Sequence, residues 1–257
     1  MLITIKHYGI PFQKYYFTAP TARVALRNLL IPTAYMDCYS AQKPWLFRVE
    51  HRHTLLTDLL QDETTIFDNF PKDTRSQIRR YEQEQYFSTN LHTQLTQFIP
   101  LYNVFAMERG LSHFSTQDAA NIGHDNYRIF SIDHDGKPII CHFYLLSPET
   151  GVINLLISAS TSAYRDDPDM RRLMGHANRC LHWQGMRYFK TAGFHTYDWG
   201  GYVVDTEDPI LQGINRFKRT FNGKLTPIYN YYSPVYGFIE SMRQMVRQFR
   251  MTNTLST

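Results

Sequence analysis

An α+β fold, with a mixed but mostly antiparallel central sheet flanked by helices, is predicted by the order of apolar periodicities along the 257 residues. Two helical patterns run in succession before the main sheet. Three β-like runs then follow one another across an Asp-Gly turn and a short polar turn, and the remainder alternates helix and strand. A doubly wound nucleotide-binding sheet would alternate strand and helix throughout.

Residues 1–45 read as an irregular N-terminal lobe and 46–257 as the main domain. The β-like pieces of the lobe, Met1 to Ile5 and Ala34 to Tyr39, are separated by Pro11, Pro20, Pro32 and Pro44, which punctuate rather than build helices. Leu46 to Glu50 reads as a strand. Asp73 or Thr74 can cap a helix to about Gln85, because a short oxygen-bearing side chain satisfies the unpaired N–H groups of a first turn. Leu91 to Arg109 reads as a second helix, closed by Gly110, which adopts left-handed backbone without a steric penalty. Tyr127 to Asp133 and Pro138 to Leu146 flank Asp133-His134-Asp135-Gly136-Lys137, a hairpin signal built on Asp-Gly. Gly151 to Ala159 follows across Ser147-Pro148-Glu149-Thr150 as a third antiparallel strand. Past Pro168 an amphipathic helix runs to Ala192 with Gly193 as its stop. A strand from His195 to Trp199, a helix from Pro209 to Phe221, a strand from Thr226 to Tyr232 and a helix from Tyr236 to Arg250 complete the order. On the last helix Phe238, Met242, Met245 and Phe249 share one face, with Arg243, Arg247 and Arg250 around the other. That pattern suits packing on the sheet or contact with an anionic membrane.

Apolar residues make up 43% of the chain, with 17 Phe and 18 Tyr, enough to build a sizeable core. A run of about 18 apolar residues that could span a membrane is absent, and the N-terminus lacks the apolar core and cleavage site of a signal peptide. A cytoplasmic location and no transmembrane segment are therefore expected. Cys38, Cys141 and Cys180 are odd in number and sit among apolar or aromatic neighbours, which fits buried thiols better than a disulfide framework. The net charge of +4 is too mild for a DNA binder but suits small polyanions such as nucleotides, sugar diphosphates or coenzyme A. His51 and His53 put two imidazoles on one strand face without a third ligand at metal spacing, so no metal is expected. No Gly-x-Ser-x-Gly elbow or Walker loop is present, which argues against α/β-hydrolase and P-loop chemistry.

The densest run of chemistry lies between Cys180 and Lys218. A long helix, a Gly stop, a short strand ending in Tyr197-Asp198-Trp199-Gly200-Gly201 and a helix bearing Phe217-Lys218 present a strand end to a ligand. The glycine pair admits a backbone or phosphate that side chains would block. Tyr197 and Trp199 alternate with Asp198 along the strand and read as core. Arg75 and Arg79 are four residues apart on one helix face, a spacing at which two guanidinium groups can grip one diphosphate; Glu82 and Glu84 nearby also allow an exposed, salt-bridged helix.

Three segments resemble the FemAB-like branch of the N-acetyltransferase (GNAT) superfamily, the peptidoglycan aminoacyltransferases and their single-domain acyltransferase relatives. They are Lys72-Asp73-Thr74-Arg75-Ser76-Gln77-Ile78-Arg79-Arg80, then Asn178-Arg179-Cys180-Leu181-His182-Trp183 with Tyr197-Asp198-Trp199-Gly200-Gly201, and Gly213-Ile214-Asn215-Arg216-Phe217-Lys218-Arg219-Thr220-Phe221-Asn222-Gly223. The family pattern has an Arg-x-x-Ile-Arg helix, a Leu-x-Trp helix, a Tyr-Asp-x-Gly-Gly strand end and a Phe-Lys-x-x-Phe-Gly helix. In this chain Asn222 is inserted before Gly223, which leaves the lysine position intact.

The resemblance implies a GNAT-like acyltransferase fold and an N-acyltransferase with a functional lysine at Lys218. That ammonium would face the oxyanion of acyl transfer or a donor phosphate, although a solvated helix lysine beside Arg216 and Arg219 fits the spacing too. Asp198 would orient the acceptor amine or take its proton, or else cap the strand end through backbone N–H groups. Members using aminoacyl-tRNA usually carry two such domains and often a coiled-coil arm, so a single domain favours acyl-CoA, most simply acetyl-CoA, as donor. Arg172-Leu173-Met174-Gly175-His176-Ala177 matches the superfamily's pyrophosphate loop, placing Arg172, Gly175 and Ala177 at the cofactor, or it is an ordinary helix start. Arg75, Arg79, Gly200 and Gly201 would contact the acceptor, an amine on a nucleotide sugar or lipid-linked sugar of a cell-envelope polysaccharide. An aminoacyl-tRNA-dependent transferase acting on a peptidoglycan or peptide amine, and a non-catalytic binding module, are the alternatives.

Overall fold

The computed structural model describes residues 1–7, 10–84 and 86–242. The order along the chain is β1 (Leu2–His7), β2 (Ile10–Tyr16), α1 (Ala22–Arg27), β3 (Thr33–Cys38), β4 (Arg48–Asp58), α2 (Glu63–Asp68), α3 (Lys72–Glu84), β5 (Ser88–Asn90), α4 (Leu95–Glu108), α5 (Thr116–Ile122), β6 (Tyr127–His134), β7 (Lys137–Ser147), β8 (Val152–Ser160), α6 (Pro168–Thr191), β9 (Thr196–Tyr202), α7 (Pro209–Arg219) and β10 (Lys224–Tyr232). Residues 234–242 are also helical. The fold is α+β, and its strands are mostly antiparallel, as the order of periodicities predicts. Two compact units partition the chain: Met1–Arg52 with the residues from Pro227 on, and His53–Thr226.

In the first unit β2 pairs antiparallel with β1 and parallel with β3, and β3 pairs antiparallel with β10. Pro11 conceals β2 in the sequence, yet a proline at the start of a strand forfeits little of the ladder, and here it stands opposite Lys6. Thr21 caps α1 by accepting from Val24 N. Ala25, Tyr35, Cys38, Phe47 and Tyr231 form one small core, and Phe12, Ala34, Tyr232 and Tyr236 another.

In the second unit the strands run in the order β4-β9-β8-β7-β6-β5, antiparallel throughout except for β8 beside β9. Asp135 and Gly136 both take positive φ, 50° and 71°, and close the β6–β7 hairpin with the twist that strands favour. Alternation along β7 sends Phe143 to Phe98 of α4 and to Phe114, while His142 and Tyr144 point to His182 and Phe189 of α6. With helices on both faces, β7 is buried without interruption from Ile139 to Ser147, hence its continuous apolar run. Each fully buried aromatic here, among them Phe70, Phe189, Phe221 and Trp199, contributes about 2–3 kcal/mol by leaving water.

Several elements differ from expectation. α4 begins at Leu95 rather than Leu91, because the Asn90 side chain accepts from His92 N and the Gln97 side chain accepts from Gln94 N, holding the preceding turn out of the helix. β4 extends to Asp58, past the polar His51-Arg52-His53 that hid it, because residues 53–58 pair with β9. β9 likewise continues through Gly200 and Gly201 to Tyr202. α2 and α5 were not foreseen, although Ser115 and Asp118 form a capping box at the start of α5. Of the predicted last helix, Arg243, Met245, Arg247, Phe249 and Arg250 lie outside the described residues. Cys38, Cys141 and Cys180 are free and buried, and burial pushes each thiol up to about 12. Among the described residues no helix is long and apolar enough to cross a membrane, and no group of three or more His, Cys, Asp or Glu could hold a metal.

Candidate active site

The parallel ladder between β8 and β9 runs from Val152↔Thr196 to Asn154↔Asp198 and ends there. Gly200 marks the departure with φ +67°, and a Cβ on it would stand 2.5 Å from the Leu155 carbonyl oxygen, so glycine is required on both counts. Its N–H donates to Asp198 Oδ1 at 2.8 Å, and the Thr54 hydroxyl donates to the same oxygen. Asp198 is fully buried and fixes this bend between β9 and β4.

Helix α7 delivers a cation to the bend. Asp208 caps its N-terminus through Ile210 N and Leu211 N, with Pro209 in the first turn where a missing N–H costs nothing. Near its C-terminus the half-buried Lys218 donates from Nζ to Gly200 O at 2.9 Å and Gly201 O at 2.8 Å. Lys218, Asp198, Gly200 and Gly201, all predicted from the sequence, therefore converge where two parallel strands part.

Phe217, the neighbour of Lys218, lines a cavity of about 320 Å³ with Ser160 and Thr161 from the end of β8 and Gly175, Asn178 and Arg179 of α6. Arg109, Arg165 and Arg171 complete a strongly cationic wall. Glu108 compensates part of it, lying 3.2 Å from Arg165 and 3.5 Å from Arg109. Arg179 donates to Gly175 O at 2.9 Å, its guanidinium carbon is 5.0 Å from the Phe217 ring centre, and its Nε is buried without a hydrogen-bond partner.

Beneath the cavity lies a polar path that the sequence reading missed. His142 Nε2 is 2.8 Å from Asn178 Oδ1 and its Nδ1 2.9 Å from Tyr144 OH; Tyr144 OH is 3.1 Å from Tyr197 OH, which is 2.8 Å from His182 Nδ1. Burial pushes His142 down to about 4 and His182 well below its ordinary value, the latter further depressed by His142, Lys218 and Arg179. Both tyrosines are raised for the same reason, so all four are neutral at pH 7. Two periodicities carried the signal: His142 and Tyr144 share one face of a strand, and Asn178 and His182 are four apart on a helix.

The other predicted residues fall elsewhere. Arg172-Leu173-Met174-Gly175-His176-Ala177 lies inside α6 rather than ahead of it, because Asp167 and Pro168 already start the helix and the Asp167 carboxylate occupies the N–H groups of Asp169 and Met170. Gly175 and Ala177 thus sit beyond the first turn, where backbone N–H groups no longer lack helical partners. Arg172 pairs with Asp169 at 3.1 Å, Ala177 is buried, and of the three only Gly175 borders the cavity. Arg75 and Arg79 are drawn to different partners. Arg75 Nη1 donates to Asp68 O and Phe70 O, each at 2.6 Å, and closes the C-terminal end of α2. Arg79 lies over the Phe67 ring and borders a separate recess with Glu63, Glu82 and Arg187.

No protein-family model matches the sequence, and no curated protein does. Solved structures do match. The crystal structure of FemX superposes with a TM-score of 0.61 at 12% identity, over 93% of this chain and 86% of FemX. The C-terminal domain assigned to a lysylphosphatidylglycerol synthetase of Agrobacterium fabrum gives 0.57 at 11%, over 95% and 84%. L-PGS from Bacillus licheniformis gives 0.56 at 11%, over 96% and 85%. The chain thus shares the fold of the FemX crystal structure, in line with the fold that the three sequence segments imply.

Proposed function

We propose that the protein is an N-acyltransferase that moves an acyl group from an activated donor to an amine. The observation that carries this reading is the Lys218 ammonium held by the carbonyls of Gly200 and Gly201, where β8 and β9 diverge. Attack of a neutral amine on a thioester carbonyl puts negative charge on the carbonyl oxygen. The C–S bond then breaks, the amine gives up a proton and the thiolate gains one. A positive charge already fixed at that oxygen stabilises the transition state without reorganising, which is the largest electrostatic lever such a site has. Asp198 acts here by holding Gly200, and through it the carbonyl that grips Lys218.

In this reading the donor is acyl-CoA, with acetyl-CoA the simplest case, and its phosphates take the arginine cavity bordered by Gly175. The acceptor is an amine of a nucleotide sugar or lipid-linked sugar used for a cell-envelope polysaccharide. The same cationic cavity also favours a second donor, the aminoacyl ester of a tRNA, the alternative that the FemAB-like resemblance of the sequence implies. Incubating the protein with acetyl-CoA or aminoacyl-tRNA and a panel of amino sugars and peptide amines, with products read by mass spectrometry, separates the two. Acetyl transfer to an amino sugar is expected; aminoacyl transfer alone would replace the donor, and turnover of neither would remove the enzyme reading.

A further inference from the structure

A cavity of about 460 Å³ lies at the end of β4, between α2 and the turn that joins α7 to β10, and none of Lys218, Asp198, Gly200 and Gly201 lines it. All its walls belong to the unit of residues 53–226. We infer that this cavity binds an uncharged sugar ring. The inference goes beyond the transfer reading and does not depend on it.

The rim is built before any ligand arrives. Leu59 N donates to His195 O at 2.9 Å, and Lys190 Nζ donates to Leu59 O and Gln61 O, each at 2.7 Å, so the turn from β4 to α2 is held on both sides. Across the cavity Asn222 takes a φ of 53°, a backbone that asparagine adopts more readily than most residues. Gly223 then lies so near β4 that a Cβ on it would stand 3.1 Å from Leu55 Cβ and 3.4 Å from Leu56 O. Walls that need no ordering spare a ligand that part of the entropy cost of binding.

The lining selects the ligand. Leu56, Ile66, Phe70 and Phe221 give an apolar floor. The polar groups are mainly side-chain amides, Gln61 in the β4–α2 turn, Asn69 just past α2 and Asn222 just past α7, while the charges of Asp58 and Lys224 cancel. Asn69 Nδ2 donates to Gln61 Oε1 at 3.4 Å, which leaves one NH2 and one carbonyl oxygen on the pair; with both amides turned over, the same two kinds of group remain. Trp199 Nε1–H donates to Thr57 Oγ1 at 3.0 Å, and because an indole can only donate, Thr57 keeps its own proton to give. An anion calls for donors alone, and an alkyl chain for no polar groups at all. A sugar ring meets both halves of the lining, since each hydroxyl donates and accepts while the C–H face covers the apolar floor. A zwitterionic amino acid, with its ammonium on Asp58 and its carboxylate on Lys224, is the competing ligand, but it uses the two charges and not the three amides.

The Thr57 bond also gives occupancy a signature, because it ties the cavity wall to the indole of Trp199. The test is titration of the whole protein with N-acetylglucosamine, followed by ¹⁵N NMR of the indole N–H groups, with leucine as the zwitterion control. The Trp199 resonance, identified by its displacement in Thr57→Val, should move with the sugar and stay in place with leucine. Asn69→Ala and Asn222→Gly, the second of which keeps the positive φ, should each weaken the sugar about fivefold. Both side chains are exposed, so the fold should survive their loss. Absence of sugar binding, a Trp199 resonance that does not respond, unchanged affinity in either variant, or equal binding of leucine would each overturn the inference. Sugar binding without acyl transfer leaves this cavity standing and removes the transfer reading; acyl transfer with Trp199 unmoved by the sugar does the opposite.

Discussion

Gly200 approaches Leu155 so closely that a Cβ on it would stand 2.5 Å from the Leu155 carbonyl oxygen, with the Lys218 ammonium nitrogen 4.0 Å away. Gly200→Ala therefore combines a positive-φ penalty with a backbone clash. It should cost about 2–4 kcal/mol of stability, read from denaturant midpoints. The surviving fold should have lost the lysine clamp, so acyl transfer should fall further than the folded fraction does. Normal stability in this variant would mean that β8 and β9 do not meet as described.

Lys218→Met keeps most of the length of the side chain and removes its charge. If the ammonium faces charge that develops only in the transition state, kcat should fall roughly 10²-fold or more, with donor affinity nearly intact. Weakened donor binding with kcat retained at saturation would make Lys218 a ligand contact, and unchanged kinetics would take it out of the mechanism.

Stability should also fall with acidity in a window set by buried imidazole. His142 is held at about 4 against an ordinary value near 6.5, so between these limits the unfolded chain binds a proton that the folded one refuses. Its contribution is complete above about pH 6.5 and is lost as pH falls towards about 4, by about 3 kcal/mol in all. The depressed His182 acts in the same direction. Denaturation of wild type and His142→Gln across that window should show a shallower pH slope in the variant; equal slopes would contradict the burial argument.

Arg75 and Arg79 now make separate claims. Arg75→Lys retains the charge but gives up the guanidinium that closes α2, and should cost about 1–2 kcal/mol. Arg79→Lys leaves that closure untouched. If Arg79 meets a phosphorylated acceptor, its KM should rise at constant stability. A KM effect in the Arg75 variant without loss of stability would restore the paired reading of this helix.

What the sequence revealed depended on whether a signal was local. Asp135-Gly136 announces its own hairpin, and Gly193 its own helix stop. The Tyr197-to-Gly201 and Phe217-Lys218 motifs single out Lys218 and the glycine pair, but the hydrogen bonds from Lys218 Nζ to the Gly200 and Gly201 carbonyls are not written in either pattern. β2 was hidden by Pro11, which breaks helices but is tolerated near the start of a strand. The Arg172 segment reads as a phosphate loop on a short pattern alone, although Pro168 already marks the helix start that the Asp167 cap fixes a turn earlier. Periodicity pairs His142 with Tyr144 on β7 and Asn178 with His182 on α6, but only tertiary packing brings the two pairs and Tyr197 of β9 together. Their buried polar character is a property of the assembled core, for which isolated histidines and tyrosines in a sequence give no address.

The three thiols give the molecule a built-in gauge. Cys38 belongs to the unit of residues 1–52 and 227 onward, while Cys141 and Cys180 belong to that of residues 53–226. A thiol raised to about 12 and sealed from solvent reacts with an alkylating reagent only when its surroundings open. Mass spectrometry of a labelling time course thus counts openings by stoichiometry, one adduct for the first unit and two for the second. Without any introduced probe, the chain reports which half loosens first under heat, denaturant or ligand.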